Sequence, residues 1–178
     1  AVEELGRRKA AHTGPLSLVP NEELDVRGIR HTWAMIYGFG CWEDYYTPRQ
    51  ALALSELTML VRSVREGRAA RDERGLVEGA STCLAFAVDK LADFNSSLAR
   101  WAVPRETSAA TFGRQALPMI WDFCETCPTS NSMGSIQSAL SWVIACIERG
   151  VPGQGEATSS SAVSSPLPDD SADAVITD

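Results

Sequence analysis

Between Leu76 and Trp101 the apolar residues Leu76, Val77, Ala80, Leu84, Ala87, Val88, Leu91 and Leu98 fall on one stripe at helical spacing. Asp89, Asp93 and Arg100 turn to the other face. A helix with so long a stripe must be covered by other elements, and the flanking sequence offers helical ones. At "TPRQ", Thr47 suits an N-cap, Pro48 the first helical position and Gln50 the reciprocal place of a capping box. The spacing of Leu54, Leu57, Leu60, Val61 and Val64 carries that helix over 48–66. Phe112, Ala116, Met119, Ile120 and Phe123 predict a third helix over 109–126, kinked or restarted near Leu117 by Pro118. A fourth is expected over 133–149, capped by Ser132 or Ser135 and stopped by Gly150. The fold class expected is mainly α.

The remaining stretches read as connections. Residues 1–12 suggest the end of a helix, "GPLSLVPNEELDVRG" a loop, and the aromatic-rich "WAMIYGFGCWEDYY" an ordered connector rather than a helix. The run "REGRAARDERG" reads as an exposed turn. The expected organisation is an N-terminal segment 1–47, a helical domain 48–150, a flexible linker 151–170 and an incipient strand 171–178. That strand, "AVIT", is too short to stand without a sheet, which the rest of the sequence does not supply.

Charge and motifs exclude more than they assign. Residues 151–178 hold five acids and no base, so the other 150 residues carry 16 basic against 18 acidic groups. A body that close to neutral lacks the basic excess of a self-sufficient nucleic-acid binder. No apolar run approaches the roughly 18 residues of a membrane span, and the N-terminus lacks a secretory apolar stretch. Five irregularly spaced cysteines, 41, 83, 124, 127 and 146, suit reduced thiols, so a cytoplasmic location is expected. The chain has no glycine-rich phosphate loop and no GxSxG elbow, and His12 and His31 are isolated. "CETC" at 124–127 lacks two further zinc ligands and reads as packing thiols, with no metal site expected. "NSS" at 95–97 matches a glycan acceptor by chance. Asn95 falls on the apolar stripe, where a buried amide must find partners; a tie to neighbouring backbone and a ligand-facing role both fit it.

The blocks "YGFGCWEDYYTPRQALALSEL", "LAFAVDKLADFNSSLARW" and "TFGRQALPMIWDF" resemble consecutive segments of the large bacterial and archaeal adenine-specific DNA methylases that begin with a domain of unknown function. The similarity spans roughly residues 25–178, and the stretch from Thr111 to Phe123 is its most specific part. In that family such blocks lead to a stretch resembling "SSPLPDDSADAVITD", followed by Pro-Pro-Tyr. The resemblance implies a helical insert within an α/β, Rossmann-like methyltransferase, with Asp178 as first residue of the Asp-Pro-Pro-Tyr motif. It implies S-adenosylmethionine as cofactor, bound by a glycine-rich loop upstream of this segment. It further implies DNA and the remainder of the methylase polypeptide as partners, and an isolated segment that is inactive. Asp178 is the catalytic candidate it names. Asn95, Arg100, Arg114, Gln115, Trp121 and Asp122, the polar and aromatic residues embedded in the blocks, are substrate-binding or structural candidates; Arg114 is expected to pair with Asp122 or another carboxylate. Cys124 and Cys127 depart from the family pattern. A free-standing helical binding or scaffold module is the alternative reading.

Overall fold

A computed structural model describes residues 1–25, 27, 32–68, 75–113, 117, 119–150, 155, 158–161, 163–164 and 166–174. It is mainly helical. In chain order it contains α1 (Val2–Ala11), α2 (Thr32–Ile36), a 3-10 turn (Trp42–Tyr45), α3 (Pro48–Arg68), α4 (Leu76–Phe94), β1 (Arg100–Ala102), a 3-10 turn (Val103–Arg105), β2 (Thr107–Ala109) and α5 (Ile136–Arg149). Residues Ala1–Glu148 make one compact unit and Arg149–Asp178 a second, smaller one.

Local sequence explains where the long helices start. At the head of α3 the backbone N–H of Gln50 donates to Thr47 Oγ1 at 3.3 Å, and the N–H of Thr47 donates to Gln50 Oε1 at 2.9 Å, so the capping box forms as the sequence predicts. The helix continues to Arg68, which makes the first residues of the charged run helical; residues 69–74 lie outside the described set. Ser135 caps α5 through the N–H of Ser138 at 3.2 Å.

Three expectations need correction. The helix expected over 76–101 ends at Phe94, because Asn95 leaves helical geometry and turns its side chain to distant backbone. Beyond it the chain forms a short antiparallel hairpin in which Arg100 faces Ala109 and Ala102 faces Thr107. The helix expected over 109–126 is absent from every described residue of that span: β2 covers its start, and Leu117, Met119 and Ile120 reach the core from a non-helical loop. Proline at 118 cannot donate to a helical ladder, and Thr111 bonds back to α4 instead of onward. The aromatic connector also holds the short helix α2, where no helix was expected.

Two apolar clusters hold the first unit together. Leu24, Ala34, Tyr45, Leu98 and Leu117 form one, with Met35, Phe39, Trp42, Tyr46, Met119 and Ile120 packed around it. Tyr45 is 1% exposed and meets Phe39 edge to face at a centroid distance of 5.2 Å. Burying each such large side chain contributes roughly 1.5–3 kcal/mol. The second cluster, Leu5, Val19 and Ala51, fastens α1 to α3. Ion pairs Arg8–Glu56 and Lys9–Glu43 lie at its edge. On α5 only Ala139 is buried, and Trp142, Ile144 and Ile147 stay more than half exposed.

Candidate functional site

Three parts of the first unit meet around Asn95: the head of α3, the end of α4 and the loop 124–135. Asn95 is 2% exposed. Its Nδ2 donates to the carbonyls of Leu91 at 3.1 Å and Gly134 at 2.9 Å. Its Oδ1 accepts the backbone N–H of Thr126 at 3.2 Å and the Thr126 hydroxyl. The side chain therefore has both donors and both lone-pair directions engaged within the protein. Gly134 completes this joint. It adopts φ +83°, and a Cβ there would sit 2.5 Å from Thr126 Oγ1, so only glycine fits.

Small hydroxyls beside Asn95 extend the same network. The N–H of Thr111 donates to the carbonyl of Asp93 at 2.8 Å, and its hydroxyl reaches the same oxygen at 2.7 Å. Ser96 Oγ shares a hydrogen bond with Thr111 Oγ1 at 2.7 Å. Asp93 Oδ1 accepts the N–H of Phe112 at 2.9 Å. Ser97 donates twice to the carbonyl of Tyr45, from its N–H at 2.7 Å and its hydroxyl at 2.9 Å. Ser108 donates to the carbonyl of Phe94 at 3.0 Å, and Cys124 donates its thiol to Ser108 Oγ at 3.1 Å. Sequence reasoning missed Ser96, Ser108, Thr111, Thr126 and Gly134. The usable signal was the density of short hydroxyl side chains among apolar neighbours, which suits side-chain bonds to backbone.

Against this joint lies a groove of about 360 Å³ lined by Arg49, Gln50, Leu54, Leu91, Asn95 and Cys127, among others. Its rim carries a two-pronged ion pair, with Arg49 Nη2 2.6 Å from Glu125 Oε2 and Nε 3.2 Å from Oε1. Cys127 is exposed, and a hydrogen bond with the Thr129 hydroxyl, seconded by backbone N–H groups of Thr129 and Ser130, holds its thiol below the usual range. Nearby, burial, reinforced by Asp93 and Asp89, pushes the Tyr46 phenol up to about 12. In the connector, backbone N–H bonds led by that of Cys41 hold the Asp44 carboxyl low, whereas burial raises the Cys41 thiol.

Of the residues singled out in the sequence, only Asn95 lines this groove. Arg100 is exposed on β1, and Trp121 and Asp122 are exposed on the loop after the core contacts of Ile120. Arg114, Gln115 and Asp178 lie outside the described residues, as do the expected Arg114 ion pair and most of the "AVIT" strand. Cys124 and Cys127 make separate bonds, to Ser108 and to Thr129, and no group of three metal-ligating side chains occurs among the described residues. No helix among them is long and apolar enough to cross a membrane. Comparisons with protein families, with curated proteins and with solved structures find no match to this chain.

Proposed function

We propose that this chain is the helical insert of a DNA adenine methyltransferase whose Rossmann-like catalytic domain lies in the parent polypeptide. The observation that carries the reading is the succession of three blocks, 37–57, 84–101 and 111–123, ahead of "SSPLPDDSADAVITD". Their packing supports treating them as one inherited unit. Tyr45, Leu98 and Leu117, one from each block, share a core cluster. Ser97 bonds the first block, and Thr111 ties the third to the second.

In the parent, Asp178 would accept a hydrogen bond from the exocyclic amino group of an adenine turned out of the duplex, with the following proline carbonyl as a second acceptor. Holding that nitrogen in one orientation is a positioning effect. S-adenosylmethionine would supply the methyl group. The described residues do not fit that cofactor: the only carboxylate on the Asn95 groove, Glu125, is engaged by Arg49, leaving none for a ribose diol. The cofactor is therefore assigned to the parent's own glycine-rich loop, and the isolated chain is inactive.

The free-standing binding module draws on the half-exposed apolar residues of α5. Reading the gene on both sides separates the two. Pro-Pro-Tyr after Asp178 with a glycine-rich loop upstream supports the methylase; stop codons in both places reject it. Calorimetry on the isolated chain adds a second test, since micromolar S-adenosylmethionine binding would contradict an insert that depends on its parent for the cofactor.

A further inference from the structure

Gln50 is 4% exposed and lies in the first turn of α3. Its Oε1 is held by the Thr47 N–H, which fixes the amide, and its Nε2 has no acceptor among the described residues. A buried amide N–H without a partner is costly. Ser81 also has an unpartnered hydroxyl, on a second groove between α3 and α4. A helical serine, however, can swing onto the carbonyl one turn back. Gln50 cannot turn without breaking the cap.

The surroundings narrow what could answer Nε2. Ala53, Leu54, Leu91 and Pro128 supply apolar wall, Asn95 is saturated by the protein, and Arg49 and Glu125 cancel each other on the rim. Neither a cation nor an anion gains there without breaking that pair. We propose that the groove between the head of α3, the end of α4 and the 125–128 loop binds a small uncharged molecule of the amide or lactam class. Its carbonyl oxygen accepts the free Gln50 Nε2–H, and its apolar body covers Leu54, Leu91 and Pro128. This site is independent of the methyltransferase reading.

The test is a titration of the isotope-labelled chain with benzamide and with toluene, which has the ring but no acceptor, followed through backbone amide signals. Benzamide should move the amides of Gln50, Leu54, Leu91 and Cys127 with a dissociation constant in about the millimolar range. Toluene should bind about tenfold more weakly, the worth of one hydrogen bond. Gln50→Glu keeps an oxygen for the Thr47 N–H but replaces the free donor with an acceptor, and should bring benzamide down to the level of toluene. Leu54→Trp fills the groove from its wall and should abolish both without touching the cap. Absence of shifts at the groove, equal binding of the two probes, or undiminished benzamide binding by folded Gln50→Glu each overturns the proposal.

Discussion

Replacing Asn95 by alanine tests whether the joint between α3, α4 and the 124–135 loop is what holds the unit's irregular half in place. The substitution removes four hydrogen bonds at a position 2% exposed. Gly134 keeps a second donor, the Thr126 hydroxyl at 3.2 Å, so the groups stranded most completely are the carbonyl of Leu91 and the N–H of Thr126. Each stranded buried group costs about 1–3 kcal/mol, and Thr126 is only half-buried, which places the total near 2–4 kcal/mol. That is a large part of the roughly 5–15 kcal/mol available to a domain. Urea unfolding of the chain and its Asn95→Ala variant, at matched slope, reads the difference directly. Asn95→Asp gives a sharper variant, because it is isosteric yet points a carboxylate oxygen at two carbonyls. Its folded-state carboxyl should titrate above the ordinary range. The variant should therefore regain stability on acidification, when a protonated Asp can donate again, and lose it as pH rises through the folded pKa. A loss below about 0.5 kcal/mol for Asn95→Ala would refute the reasoning, since that is the scale of an ordinary surface change.

Single groups elsewhere in the unit give further expectations. Tyr46, whose phenol is raised to about 12, binds its proton more tightly folded than unfolded, so its contribution is complete below about pH 10 and is lost between about pH 10 and 12; Tyr46→Phe should flatten that part of the stability profile. Thr47→Ala removes one half of the capping box and should cost about 1 kcal/mol in denaturant unfolding. Cys127 should be alkylated by iodoacetamide ahead of Cys41, since hydrogen bonds favour its thiolate while burial and Asp44 disfavour that of Cys41; mass spectrometry of partly labelled protein gives the order.

The helices α3 and α5 were legible because their signals are local: a cap, a stripe and a breaker lie within a few turns of each other. Gln50 is the clearest case, since its capping role comes from a three-residue spacing. The stretch from Asn95 to Thr126 was not legible in the same way. Its apolar spacing imitates a helix, yet Leu117, Met119 and Ile120 serve the core from a loop, and what holds that loop is long-range. Thr111 to Asp93 and Asn95 to Gly134 are bonds between residues that no periodicity relates. A polar residue on an apolar stripe did point to Asn95 as needing partners, but not to which ones. The groove was missed for the same reason, because its walls come from three separate segments.

The proposed function rests most directly on Asp178, and methylation of an adenine-containing duplex by the full-length parent and its Asp178→Ala variant addresses it. With folding and S-adenosylmethionine affinity checked in parallel, the variant should lose methyl transfer while keeping both, and Asp178→Asn should retain part of the rate because its amide oxygen still accepts the amino hydrogen bond. Equal rates for the parent and Asp178→Ala would remove Asp178 from the active site and with it the assignment of this chain to a DNA adenine methyltransferase.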